Sequence, residues 1–151
     1  MQSLGDFFPK ETKQQLANEN FKVGSVLKYH IDFTNPPKVK RLIIVGFDTE
    51  KVLFATVLIN SEINPKVFPS KELQDLHIGL DSTGREYLSH FSFVDCSNLI
   101  EQDINSIKNQ LSESPDMHLG CLSNEDLNSV QAKIKEAKTI PLATKKKFNL
   151  A

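Results

Sequence analysis

The chain has very little arginine. Of its eighteen lysine and arginine residues only Arg41 and Arg85 are arginine, and both stand out because a guanidinium grips phosphate or carboxylate in a fixed fork, whereas an ammonium is a point charge. Cysteine is scarce too. Cys96 and Cys121 are the only two, too few for the disulfide framework of a secreted domain and, without clustered histidine, too few for a four-ligand zinc site. A reducing cytoplasm is the expected location. No apolar run approaches the length of a membrane helix, and residues 1–9 hold no basic stretch followed by an apolar one, so neither a membrane span nor a secretory leader is expected. An excess of one charge is also missing. Eighteen bases against nineteen acids give a formal net charge of -1, so any site for a polyanion must be a local patch. There is no glycine-rich phosphate loop, H-E-x-x-H, G-x-S-x-G or cysteine pair at metal spacing, and no metal or cofactor is expected.

What remains is an ordinary globular composition. Across 151 residues, 39% are hydrophobic and 25% charged, which fits one self-sufficient domain without repeats or low-complexity segments. Residues 1–20 read as a polar arm or short helix anchored by Leu16, and residues 139–151 as a basic tail. Between them, residues 21–138 carry the domain.

Period-two alternation begins at Val23: Leu27, Tyr29, Ile31 and Phe33 share one face of a half-exposed strand, with Val26, Lys28, His30 and Asp32 on the other. Asn35, Pro36 and Pro37 break it. Residues 40–48 and 51–60 are apolar on both faces and separated by Asp48, Thr49 and Glu50, which predicts a hairpin in the middle of a sheet. Leu76, Ile78 and Leu80 begin a second hairpin, whose other strand is expected over residues 87–96, ending at Cys96, Ser97 and Asn98. Ile100, Ile104, Ile107 and Leu111 form a helical stripe that Ser114 and Pro115 terminate. A short strand through Met117, Leu119 and Cys121 follows. Ser123 with Asp126 then reads as a capping box opening a second helix, striped by Leu127, Val130, Ile134 and Ala137. Short strands interrupted late by helices predict an α+β fold, mainly β: a small, strongly bent antiparallel sheet or barrel packed against helices.

Several residues on this scaffold could carry chemistry. Arg41 opens an apolar strand beside the basic loop residues Lys38 and Lys40, and reads either as a phosphate clamp or as a solvated charge at a strand edge. Asp95 ends an apolar run, either as a partly desolvated proton carrier or as a strand-end acceptor of backbone N–H groups. Asn60 and Ser61 close the partner strand near Arg41 and also fit plain turn chemistry. His30, His77, His90 and His118 are scattered, and both cysteines read as packing residues rather than nucleophiles. The basic residues from Lys133 onward could attract RNA, or mark a solvated helix face and a frayed tail.

The order of elements and several short strings resemble the MazF/PemK family, the toxins of bacterial type II toxin–antitoxin pairs. Gly24 through Asp32 and Phe33 is similar to the family's opening strand, and Arg41, Leu42, Ile43, Ile44 and Val45 to its arginine-led second strand. Val57, Leu58, Ile59, Asn60 and Ser61 resemble its third strand. Phe93, Val94, Asp95 and Cys96 resemble its apolar-Asp-Gln string. Leu119, Gly120, Cys121, Leu122, Ser123, Asn124, Glu125, Asp126 and Leu127 match its Leu-Gly-x-Leu-Ser-x-Glu-Glu-Leu ending.

This resemblance implies an SH3-like antiparallel barrel with a C-terminal helix, a homodimer, a cognate antitoxin, and metal-independent, sequence-specific cleavage of single-stranded RNA. It assigns Arg41 to the scissile phosphate, Asn60 and Ser61 to the same site, and Asp95 to proton transfer. Lys38, Lys40 and Arg85 are the RNA-binding candidates. Leu42 stands where the family has proline, Asn60 where it has threonine and Cys96 where it has glutamine. A catalytically inactive SH3-like module that binds RNA or a protein segment is therefore the alternative.

Overall fold

A computed structural model describes residues 21–31 and 38–151. The arm read over residues 1–20, Asp32, Phe33 and the proline loop of residues 34–37 lie outside the described residues, as do the side chains of His30, Ile31 and Lys38. The fold is α+β: a curled, six-stranded antiparallel sheet with a few helices. In chain order its elements are β1 (Ser25–Ile31), β2 (Lys38–Phe47), β3 (Leu53–Asn60), the single turn α1 (Lys71–Gln74), β4 (His77–Leu80), β5 (Ser92–Asp103), α2 (Ile104–Glu113), a 3₁₀ turn (Pro115–Met117), β6 (His118–Cys121), α3 (Asn124–Glu136) and α4 (Leu142–Lys147). The strand order is β4-β5-β3-β2-β1-β6, which puts the β2–β3 hairpin at the centre.

That hairpin forms because its strands are apolar on both faces and its turn satisfies its own backbone. Asp48 Oδ1 accepts the N–H groups of Val52 and Leu53 at 2.8 and 3.0 Å, and Lys51 takes the left-handed conformation with φ 56°. Apolar residues on both faces are explained by cover on both. On one side Ile43, Val45, Val57, Ile59 and Val94 pack beneath Val130 and Ile134 of α3. On the other Leu27, Ile44 and Phe54 meet Ile104, Ile107 and Leu111 of α2, with Phe21 edge-on to Phe54 at 5.0 Å. Each fully buried side chain of this size removes apolar area worth about 1.5–3 kcal/mol from water.

Three expectations change here. Strand β1 is buried on both faces at its start, where Val26 and Leu27 each enter one core, and Lys28 beyond them is exposed as expected. Strand β5 does not end at Cys96 but runs on to Asp103. It pairs with β4 and β3 as far as Asp95, and beyond it with β3 alone, after a register shift between Thr56 and Leu58. In that second half Asn98 and Glu101 face solvent, so the pattern looks polar although the ladder continues. Ile100 accordingly belongs to β5, and α2 starts at Ile104 with Asp103 as its N-cap, the Asp103 carboxylate accepting Ser106 N–H at 3.1 Å. Finally, residues 139–151 fold onto the sheet, with Ile140, Phe148 and Leu150 joining the α3 core.

Candidate functional site

Antiparallel pairing brings the start of β2 and the end of β3 to the same edge, with Arg41 opposite Ile59. The next strand, β5, sets Phe93 opposite Asn60, so the segment preceding β5 arrives beside the end of β3. The result is a cleft of about 210 Å³ lined by Val39, Lys40, Arg41, Ile59, Asn60, Ser61, Leu88, Ser89, His90 and Ser92. Among the described residues its lining holds two cations and a histidine and no carboxylate.

Arg41 is the decisive residue. Its Nε is buried and has no hydrogen-bond partner, although the residue as a whole is only half-buried. A buried polar group left unpaired costs about 1–3 kcal/mol, more if charged, and an anion entering the cleft would supply the partner. Lys40 Nζ donates to Asn60 Oδ1 at 3.1 Å, tying the two strand ends together at the rim. Ser61 is exposed there.

Asp95 is not brought to this cleft. Arg41, Ile59 and Val94 lie across from one another on one face, and Asp95, the next residue after Val94, points to the other. There it lines a second depression, of about 380 Å³, with Leu58, Val67, Phe68, Glu62 and Asn64; Lys40, Asn60 and Ser61 form the rim common to both. Its Oδ1 accepts the Ser97 N–H at 2.9 Å and the Ser97 hydroxyl at 2.5 Å, within β5 rather than at a strand end. His77 adjoins it. His77 Nδ1 stands 3.1 and 3.2 Å from the carbonyl oxygens of Leu73 and Gln74, which only accept, so that nitrogen carries a proton. The buried Nε2 faces Asp95 Oδ1 at 3.7 Å.

Arg85 is engaged elsewhere. It donates from Nε and one terminal nitrogen to the two oxygens of Asp126 at 2.9 and 3.0 Å, and from the other to Asp81 Oδ1 at 3.0 Å. These bonds raise its own pKa and hold the Asp126 carboxyl below the usual carboxylate range. Arg85 thus joins the Asp81 turn to the N-terminus of α3, where Ser123 accepts Asp126 N–H at 3.1 Å as the capping pattern predicts.

The cysteines differ in access. Burial, helped by the charge of Asp95, pushes the Cys96 thiol up to about 12, which keeps it an inert packing group. Cys121 is exposed, 3.7 Å from His118 Nε2; burial and then Lys22 lower the His118 pKa. Among the described residues no group of three or more His, Cys, Asp or Glu side chains could hold a metal ion, and no helix is long and apolar enough to cross a membrane.

Sequence reasoning overlooked Ser89 and Ser92 and read His90 only as one of four scattered histidines, yet all three line the Arg41 cleft. The missing information was pairing: once β5 lies antiparallel to β3, the residues just before β5 must meet those that end β3. No protein-family model matches this chain, and a search of curated proteins returns no match either.

Proposed function

We propose that this chain is a MazF/PemK-like toxin of a type II toxin–antitoxin pair, a sequence-specific endoribonuclease that cleaves single-stranded RNA without a metal ion on an SH3-like barrel. The observation that carries the reading is the unpartnered, buried Nε of Arg41 in a cleft that contains Lys40, Asn60 and Ser61 and, among the described residues, no carboxylate. In such cleavage the ribose 2′-oxygen attacks the adjacent phosphorus, the bond to the 5′-oxygen breaks, and a 2′,3′-cyclic phosphate and a 5′-hydroxyl remain. The phosphorane gains negative charge, and the Arg41 guanidinium, with its Nε buried and free to donate, stabilises it. Lys40 adds a second cation at the rim, and Asn60 and Ser61 supply neutral hydrogen-bonding groups. The same reading brings a homodimer and an antitoxin whose segment fills the cleft.

The test is incubation of the full chain with mixed RNA in EDTA, scoring new 2′,3′-cyclic phosphate ends, beside Arg41→Ala. Cleavage by the wild type and a loss of about 100-fold or more in the variant is the expected result, the usual scale for deleting a group that stabilises the transition-state oxyanion. Circular dichroism checks that the variant is folded. Wild-type cleavage that Arg41→Ala leaves intact removes Arg41 from the site. Absence of wild-type cleavage with retained RNA binding favours the non-catalytic module, a reading to which the position of Asp95 away from the cleft lends weight.

A further inference from the structure

The ribonuclease reading requires a proton carrier beside Arg41, and Asp95 faces the other side of the sheet. The cleft offers one alternative. His90 lines it together with Arg41, Lys40, Asn60 and Ser61, and its ring is held from one side, Nδ1 lying 3.0 Å from Ser89 Oγ. The side chain is exposed, so Nε2 is open to a ligand. Imidazole is the side chain suited to exchanging protons near neutral pH.

Resting on that ribonuclease reading, we propose that His90 is the general base, its Nε2 taking the proton from the ribose 2′-hydroxyl of RNA bound at Arg41. Lys40 and Arg41 from β2 are cationic, Asn60 and Ser61 from β3 and Ser89 and Ser92 beside His90 are neutral, and among the described residues no carboxylate lines the cleft. As the phosphorane accumulates negative charge, it favours the imidazolium that the transfer creates. The 2′-oxygen forms its bond to phosphorus as its proton moves to Nε2, and the bond from phosphorus to the 5′-oxygen breaks. The leaving oxygen takes a proton from solvent water, and the resulting hydroxide recovers the proton from His90, so the protein ends unchanged.

The experiment compares wild type, His90→Ala and Arg41→Ala for cleavage and for RNA binding, each with and without added imidazole. His90 is exposed and outside both cores, so its removal should leave the fold intact, with circular dichroism as the check. Expected are a fall in kcat of about 100-fold or more for His90→Ala, the lower end of what a positioned base contributes, with RNA binding retained and the rate partly restored by imidazole. Arg41→Ala should gain nothing from imidazole. Cleavage by His90→Ala within about 3-fold of wild type overturns the proposal while leaving the ribonuclease reading standing. A slow His90→Ala that has lost RNA binding, or that imidazole does not restore, makes His90 a binding or positioning residue and also overturns it. Failure of the wild type itself to cleave RNA refutes the reading on which the proposal rests, and the proposal with it.

Discussion

Asp126 accepts two hydrogen bonds from Arg85 while its own N–H caps α3 through Ser123. The bond from Arg85 is the main cause that holds its carboxyl below the usual range. A carboxylate whose folded pKa is depressed contributes stability above its unfolded value, about 3.9, and that contribution fades as the pH falls through the folded pKa. Arg85 stays charged throughout and adds no pH window of its own. Asp126→Asn should therefore cost about 1–2 kcal/mol at pH 7 by urea unfolding, the range for a charged hydrogen bond near the surface. The gap between variant and wild type should shrink below about pH 4. A gap of the same size at pH 7 and pH 3 would show that the charge of Asp126 is not what stabilises. The contrast with Arg41 shows what scarcity in a sequence can and cannot reveal. Both arginines stood out against the lysines, yet only the partner distinguishes them: Arg85 has two carboxylates within 3.0 Å, and Arg41 Nε has no partner. Asp81 lies close to Arg85 in sequence, but Asp126 lies far along the chain.

At the scale of elements, the C-terminal segment departs furthest from what periodicity could show. Phe148 and Leu150 are two isolated apolar residues behind a lysine run, without the repeat that marks a helix, so the segment reads as a tail. In the fold Phe148 is fully buried. Helix α4 ends in a Schellman motif: Asn149 adopts φ 60°, its N–H reaches Lys146 O at 3.2 Å and the Leu150 N–H reaches Lys145 O at 2.7 Å. Lys145 is buried, its ammonium donating to the carbonyls of Lys135 and Ala137 at 2.9 and 2.6 Å; it thus satisfies carbonyls at the end of α3 that the helix leaves open. Central strand β2 accommodates this packing with a register shift between Ile44 and Gly46. The Val45 carbonyl at the irregularity accepts from Gln131 Nε2 at 3.1 Å. Gly46 is required because a Cβ there would collide with the Phe148 carbonyl oxygen and lie 3.3 Å from Phe148 Cβ. Gly46→Ala should destabilise by about 1–3 kcal/mol, as overpacking a tight core does. Limited proteolysis should then cut the variant after Ile140 sooner than the wild type. A neutral substitution would show that the segment is not bound to β2 in solution. The β2–β3 hairpin, by contrast, could be read directly, since two apolar strands flank Asp48 and the turn needs no distant partner.

At the scale of the whole molecule, a sheet covered on both faces places its candidate sites where neither helix layer reaches, at the ends of the strands. The two depressions there share Lys40, Asn60 and Ser61 as a rim but open on opposite faces, which is why residues adjacent in a motif need not cooperate. Strand alternation makes that separation predictable only when the register is known. Charge follows the same logic. The net charge is -1, and two of the basic C-terminal residues are engaged, Lys145 by burial and Lys147 by pairing with Glu101 at 3.3 Å, while Lys135, Lys138 and Lys146 are exposed. RNA bound in the cleft should be drawn by the cations there, Lys40 and Arg41. Each phosphate neutralised on a single strand contributes about -0.7 to the slope of log K against log salt, so about two contacts predict a slope near -1.5 for RNA binding measured by fluorescence anisotropy. Arg41→Ala should bring that slope to about -0.7, because one contact is lost, whereas Lys146→Ala should leave it unchanged. A slope steeper than about -4 would require a broad cationic surface, and would move the RNA away from the cleft to the lysines of α3 and α4.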